Sequence, residues 1–197
     1  LMTMQKFPRI NEYKALAYRI FLAFLFYSIA RLLFFCYNPQ LIKIESLSDF
    51  FLLSFHGITF DTTAILYINS LFILLSILPL KINTQKGFQK FLFYLYFSTN
   101  LFAYATNFID FIYYRYTFGR STRASMDTLE HEQNKLLLLF NFLLNYWHVF
   151  VLFLLVSIVW ILLYKRYKVT HLIPKLNVKY FAFSFAMFLV IVTLSIG

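Results

Sequence analysis

The feature that most constrains this chain is a succession of long apolar runs, four in its interior and a fifth that reaches the last residue. A hydrocarbon core about 30 Å thick requires roughly 20 apolar residues of helix, and few water-soluble folds tolerate several such runs in succession. With 61% hydrophobic residues, 27 Phe and only 13% charged residues, the 197-residue chain has too little polar surface to cover a water-soluble globule. The sequence therefore predicts an all-α, polytopic membrane helix bundle.

We expect about five transmembrane helices, together with short interfacial helices, in a single transmembrane domain over residues 1–197. The predicted spans cover residues 18–37, 58–80, 88–111 and 136–164, and an incomplete fifth covers 180–197. Asn38-Pro39 ends the first span, because proline disfavours helix at the residue before it. Gly57 is expected to mark a bend, so that Ser46 to Phe55 forms a separate amphipathic helix in the membrane interface.

The distribution of basic residues predicts the orientation. Twelve Lys and Arg residues lie before the first span or in the loops after the second and fourth spans, against five in the alternate loops. Since basic loops stay in the cytoplasm, we expect the amino end there and the fifth span leading outward from the cytoplasmic membrane. The net charge of +10 thus reflects topology, and no basic soluble module that would bind nucleic acid is recognisable.

Ionisable side chains within predicted spans are costly and are therefore the first candidates for a functional site. Arg31 and Asp61 each lie within about 10 Å of the predicted outer boundary, at 1.5 Å of rise per residue, so they can pair. Such a pair either fixes helix register by neutralising two charges or belongs to a polar site. Other polar residues of spans three and four recur at this depth: Asn107, Asp110, Asn141, Asn145 and His148.

This concentration of polar residues in the outer half bears on the class of protein. A transporter is expected to place such groups near the midplane, along a path through the membrane. An outward-opening cavity, for a lipid head group or for a catalytic domain resting on it, fits the distribution better. Ordinary interhelical hydrogen bonds account for the asparagines just as simply.

The segment 113–135 joins aromatic residues to three arginines, Arg115, Arg120 and Arg123. Guanidinium groups at head-group depth are suited to bidentate contacts with phosphate, which predicts membrane lipids, and anionic phospholipid in particular, as partners. In the alternative interpretation the arginines pair with nearby carboxylates and only anchor the loop. Those carboxylates are Asp110, Asp127, Glu130 and Glu132.

No catalytic constellation is recognisable in the sequence. Cys36 is the single cysteine, which excludes an internal disulfide, and no Cys/His cluster has metal-ligand spacing. No Ser, Thr or Cys has a base at a convincing spacing, and the 4 Gly form no phosphate-binding loop. His148 falls within a span, where we expect a hydrogen-bonded packing role. We predict neither an active site nor a cofactor within these residues.

Two stretches together resemble a known family. The first is Phe55-His-Gly-Ile-Thr-Phe-Asp61, with Ala-Ile-Leu-Tyr-Ile-Asn at 64–69, and the second runs from Asn107 to Thr117 and on to Arg-Ser-Thr at 120–122. They resemble the N-terminal membrane domain of lipoteichoic acid synthase-like sulfatases, particularly the Bacteroidetes branch, and the likeness covers the whole chain. Thr59 departs from that pattern, which has a basic residue before Phe-Asp.

The resemblance implies a larger protein. In this family five transmembrane helices precede a large extracytoplasmic domain of the alkaline-phosphatase superfamily, with a threonine nucleophile and a divalent metal such as manganese. That domain is expected after residue 197, where it would transfer phosphoglycerol or a related group from a lipid, or hydrolyse phosphate or sulfate esters. None of its catalytic residues lies within the 197 residues.

The predicted function is accordingly that of a membrane anchor that also presents lipid substrate to its own extracytoplasmic domain. The predicted polar cluster has arginines that contact phosphate and carboxylates that hold the arginines in place: Arg31, Asp61, Asn107, Asp110, Arg115 and Arg120. The alternative is a non-enzymatic integral membrane subunit, or a small transport component of a larger complex.

Overall fold

The computed structural model describes residues 10–39, 47–78, 82–83, 85–117, 144–169 and 178–196. Within these residues there are six helices and no strand, which confirms the predicted all-α class for the described part of the chain. The helices are α1 (Ile10–Tyr37), α2 (Leu47–Ile68), α3 (Ser70–Ile77), α4 (Lys86–Thr117), α5 (Trp147–Arg166) and α6 (Val178–Ile196).

Two helices are long and apolar enough to cross a membrane, Asn11–Tyr37 within α1 and Trp147–Arg166, which is α5. A third candidate is a bent pair, in which Gly57–Ile68 of α2 meets α3 at an angle of 61°. In the described ranges α4 and α6 do not meet the same criterion of length and composition. The structure thus supports two or three spans by this criterion, where the sequence predicts five.

The polar residues of α4 explain why this 32-residue helix is not apolar enough to count as a membrane span. Its polar residues Asn100 and Tyr104 are fully buried in the bundle, whereas Phe102 is 77% exposed and Ile109 is exposed as well. The mean hydropathy of a helix includes the residues of both faces, although only the outward face contacts the surroundings. The polar residues of α4 therefore belong to the interior of the bundle.

One end of the bundle, here called the Arg19 end, brings together the starts of α1, α4 and α6 and the end of α5. The Tyr13 hydroxyl of α1 lies 2.8 Å from Ser184 Oγ of α6. Arg19 Nη2 donates to Gln89 Oε1 of α4 at 3.0 Å. The Arg19 guanidinium also lies 4.4 Å from the ring centroid of Tyr164, near the end of α5.

The opposite end, here called the Arg31 end, brings together the end of α1, the middle of α2, the second half of α4 and the start of α5. Arg31 of α1 pairs with Asp61 of α2. The Tyr37 ring stacks on Phe111 of α4, and its hydroxyl lies 2.9 Å from His148 Nε2 of α5. Hence α1 and α4 run one way, and α2–α3 and α5 run the other way.

The predicted bend at Gly57 is wrong, because α2 continues through Gly57 and the axis breaks at Asn69 instead. Residues 47–55 are the first part of α2, so the separate interfacial helix predicted from Ser46 to Phe55 is absent from the described residues. Asn69 Nδ2 donates to Ile65 O at 2.9 Å, and this carbonyl also accepts the Asn69 backbone N–H at 3.0 Å. A side chain that competes for a carbonyl of the helical ladder bends the helix.

Aromatic rings fill the middle of the bundle. Trp160 of α5 is fully buried and stacks on Phe26 of α1 at 4.8 Å, with 4° between the ring planes. Its Nε1 donates to the Tyr96 hydroxyl at 3.2 Å, and that hydroxyl donates to Arg19 O at 2.8 Å. Packing and hydrogen bonds of this kind, rather than the hydrophobic effect, hold helices together inside a membrane.

Candidate functional site

An ion pair between α1 and α2 marks the Arg31 end. Arg31 Nη2 lies 2.5 Å from Asp61 Oδ2, and the two side chains are 11% and 21% exposed. The antiparallel course of the two helices brings position 31 level with position 61, so the pairing expected from their shared depth is confirmed. Each group neutralises the other, which lowers the cost of placing either charge in apolar surroundings.

Gly57 supplies the space in which this ion pair forms. A Cβ atom built at Gly57 would overlap the Arg31 guanidinium at Nη1, Cζ and Nη2. Gly57 lies four residues before Asp61, so both positions belong to the same face of α2. The glycine therefore serves a close approach of the guanidinium to the helix backbone, rather than the bend expected from the sequence.

Asn107 and Asp110 of α4 complete a cleft beside the ion pair. Their spacing of three residues places them on one face of the helix. The cleft has a volume of about 290 Å³ including its open mouth, and its lining residues are Tyr27, Ala30, Arg31, Phe34, Asp61, Asn107, Asp110 and Phe111. Four of the six residues predicted to form the polar cluster thus meet in one place.

The remaining two predicted residues cannot be placed in the cleft. Arg115 belongs to α4, a turn and a half beyond Asp110, but its side chain lies outside the described part of the structure. Arg120 lies outside the described residues altogether, as do Arg123 and Asn141. The predicted contact between these arginines and phosphate therefore stays a prediction.

The charges of the cleft limit what it can hold. Among the described lining side chains, Asp61 and Asp110 are accompanied by one guanidinium, that of Arg31, which Asp61 binds. Charge-assisted binding of phosphate requires cationic donors, so this lining suits hydroxyl or amide groups better than a phosphate. The Tyr27 hydroxyl is buried in the wall without a hydrogen-bond partner among the described residues, and the space inside admits about one water molecule.

Polar residues are not confined to the Arg31 end, although the sequence predicts that they concentrate near the depth of Arg31 and Asp61. Arg19, assigned by sequence to the basic segment before the first span, is only 5% exposed. It belongs to a second cleft at the opposite end of the bundle, together with Asn83 and Gln89. A further buried pair, Asn69 and Asn100, lies between the two ends.

A signal for the burial of Arg19 is present in the sequence. The buried positions of α1 recur every three or four residues, at 12, 15, 16, 19, 22, 23, 26, 27, 30 and 34. Arg19 falls within this stripe, which is the face that a helix turns toward its neighbours. Counting basic residues for topology assigns Arg19 to a loop or helix end, and therefore misses its position on the core face.

The polar residues of α5 take little part in either cleft. His148 is exposed and engages Tyr37 in the hydrogen bond described above, and Asn145 is exposed as well. Within the described ranges no group of three or more His, Cys, Asp or Glu side chains could hold a metal ion. Neither cleft thus offers a ligand set for a metal cofactor.

No family model, no curated protein and no solved structure matches the chain. A function for the cleft at the Arg31 end therefore has to be inferred from its residues and their contacts.

Proposed function

We propose that this chain is the membrane domain of an extracytoplasmic, metal-dependent phosphoglycerol transferase or sulfatase, which it anchors and to which it presents lipid substrate. The observation that carries the proposal is the cleft beside the Arg31–Asp61 pair. Asp61 of this cleft lies in the stretch Phe55–Asp61 on α2, and Asn107 and Asp110 lie in the stretch Asn107–Thr117 on α4. These are the two stretches that resemble the sulfatase family. Two stretches that lie far apart in sequence thus contribute to one site.

The chemistry of the cleft suggests how a phosphoglycerol head group would be divided between two sets of residues. Glycerol hydroxyls are suited to the carboxylate of Asp110, the amide of Asn107 and the unpartnered hydroxyl of Tyr27. The phosphate requires cations, and α4 carries Arg115 past the cleft, with Arg120 following. In this proposal the arginines hold the phosphate, and the open mouth of the cleft holds the glycerol hydroxyls.

We further propose five membrane passes, with the Arg19 end in the cytoplasm. The alternating directions of α1, α2–α3, α4 and α5 support successive crossings. The start of α6 contacts Tyr13 of α1, and α6 packs against both α3 and α2, so it runs from the Arg19 end toward the Arg31 end. Seven described basic residues lie at the Arg19 end, which agrees with a cytoplasmic location there: Lys14, Arg19, Lys86, Lys90, Lys165, Arg166 and Lys168.

The test of this function is a double variant, Arg115→Gln with Arg120→Gln, in the whole gene product. Turnover of phosphatidylglycerol should fall about tenfold or more, because two charge-assisted contacts to phosphate are lost. Hydrolysis of a soluble chromogenic ester should stay unchanged. The matched control is Lys168→Gln, an exposed cation at the opposite end. Equal loss on both substrates would contradict lipid presentation by these arginines.

The alternative is a non-enzymatic membrane subunit or small transport component. The break of α2–α3 at the buried Asn69 favours it, because transporters place interrupted helices near the midplane. The aromatic layer around Trp160 argues against a transport path through the bundle, since aromatic rings fill the space between the two clefts. Sequencing the gene beyond residue 197 separates the two. Several hundred further codons with a metal-ligand set support the enzyme, and an immediate stop codon supports the subunit.

A further inference from the structure

The second cleft, at the Arg19 end, contains a buried cation. Arg19 is 5% exposed, and the described residues place no carboxylate within ion-pair distance of it. Glu12 of the same helix also lines the cleft, but two helical turns separate the two residues by about 10 Å along the axis. A guanidinium removed from water without a counter-ion is costly, so a site of this kind favours an anion.

The protein contacts of Arg19 are all to neutral groups. Nη2 donates to Gln89 Oε1 at 3.0 Å, and the guanidinium lies over the Tyr164 ring at 4.4 Å. Nε has no hydrogen-bond partner among the described residues. Five N–H donors in a planar fork are thus only partly used, and the unused ones suit an oxyanion.

The cleft around Arg19 has an open mouth and a lining of both polar and apolar side chains. Its enclosed space admits about one water molecule, so a larger ligand is held at the mouth. The lining residues are Glu12, Leu16, Arg19, Ser76, Asn83, Gln89, Leu92 and Val169. Asn83 is 2% exposed, and its Oδ1 also lacks a partner within the described part of the chain. Asn83 Oδ1 can accept a hydrogen bond, and the Arg19 guanidinium has N–H groups left to donate. The cleft therefore suits a ligand that carries both oxyanion and hydroxyl groups.

We propose that this cleft binds the phosphate group of an anionic phospholipid such as phosphatidylglycerol, on the side of the membrane opposite the Arg31–Asp61 cleft. Phosphate oxygens contact the Arg19 guanidinium, and a head-group hydroxyl donates to Asn83 Oδ1. This site does not rest on the function proposed above, because it involves other residues at the other end of the bundle.

The depth of Arg19 fits a lipid phosphate. Arg19 lies 18 residues before Tyr37, which is about 27 Å at 1.5 Å per residue. A hydrocarbon core of about 30 Å therefore places Arg19 near one boundary when the end of α1 lies near the other. Exposed cations at the same end, among them Lys14, Lys86 and Lys90, add a long-range attraction for anionic lipid.

The test measures thermal unfolding of the whole chain in neutral detergent, by intrinsic fluorescence, during titration with three probes. Dioctanoyl phosphatidylglycerol carries the phosphate, dioctanoylglycerol has the same tails without it, and inorganic phosphate at matched ionic strength has no tails. We expect stabilisation by phosphatidylglycerol and none by dioctanoylglycerol. Equal stabilisation by inorganic phosphate would identify free phosphate as the ligand of the same site.

Variants assign the effect to Arg19. R19Q should weaken phosphatidylglycerol binding about tenfold or more, as expected for loss of charge-assisted hydrogen bonds, and R19K should keep part of the affinity. R166Q is the matched control, because it removes an exposed arginine from the same end, and should change the affinity less than about twofold.

A charge-compensating variant keeps the test decisive where R19Q does not fold. Q89E places a carboxylate where Gln89 Oε1 now accepts from Arg19, so the protein supplies its own counter-ion. The Q89E chain should lose the stabilisation by phosphatidylglycerol. Wild-type affinity in either R19Q or Q89E would overturn the proposal, as would equal stabilisation of the wild type by phosphatidylglycerol and dioctanoylglycerol.

Discussion

Asn69 and Asn100 exchange two side-chain hydrogen bonds in the interior of the bundle. Asn69 Nδ2 donates to Asn100 Oδ1 at 3.0 Å, and Asn100 Nδ2 donates to Asn69 Oδ1 at 2.7 Å. Both residues are fully buried. Each amide also donates to a carbonyl four residues earlier, so all four amide hydrogens are used. The pair fastens the break between α2 and α3 to the middle of α4.

Replacing both asparagines by leucine should destabilise the bundle by less than the sum of the two single replacements. A single replacement leaves the second amide with an unpaired oxygen in an apolar interior, whereas the double replacement removes both polar groups. We expect a coupling free energy of about 1 kcal/mol, within the range measured for interhelical hydrogen bonds in membranes. The measurement is a double-mutant cycle on unfolding in bicelles, and strictly additive losses would show that the two amides do not interact.

Gly57→Ala should separate Arg31 from Asp61. The new methyl group occupies the position of the guanidinium, which must move away from its carboxylate. Gly87→Ala is the matched control, because nothing lies within 4 Å of a Cβ at Gly87 in the first turn of α4. Alanine favours the helix by up to about 1 kcal/mol at both positions.

The two glycine variants should therefore differ in unfolding free energy by about 1–3 kcal/mol, with Gly57→Ala the less stable. Unfolding in mild detergent measures both. Adding Asp61→Asn to Gly57→Ala should cost little more, since the ion pair is already lost. Equal stability of the two glycine variants would show that Arg31 finds another position without cost.

Trp160→Phe should destabilise the bundle by about 1–3 kcal/mol. The indole is fully buried, stacks on Phe26 and donates to the Tyr96 hydroxyl, so the smaller ring leaves a void and an unused acceptor. Trp147→Phe is the control, because Trp147 is 62% exposed and should tolerate the change. Thermal unfolding followed by circular dichroism gives both values. Similar midpoints for the two variants would contradict the central position of Trp160.

Cysteine accessibility tests the orientation. In a Cys36→Ser background, Ser48→Cys near the start of α2 should react with an impermeant maleimide added to intact spheroplasts. Lys168→Cys, just after α5, should react only after the membrane is permeabilised. This expectation follows from the proposed location of the basic Arg19 end in the cytoplasm. Labelling of Lys168→Cys from outside would reverse the proposed topology and place both clefts on the wrong sides.

Much of the Arg31 cleft could be predicted from the sequence. The depth of Arg31 and Asp61 within their spans was enough to anticipate their pairing, and Asn107 and Asp110 share a helical face at the same depth. Depth along a helix depends only on counting residues, at a rise that hardly varies. The contact predicted for Arg120 cannot be derived in the same way, because it depends on the path of the chain beyond α4.

The sequence by itself determined the fold class. A chain with long apolar runs and few polar residues satisfies its backbone hydrogen bonds in apolar surroundings by forming helices. Only the tertiary structure decided which face of each helix lies inside. It buried Arg19, moved the bend from Gly57 to Asn69, and turned the polar side of α4 inward. These outcomes depend on contacts between side chains of helices that are distant in sequence. Local composition does not indicate which of these side chains will be in contact.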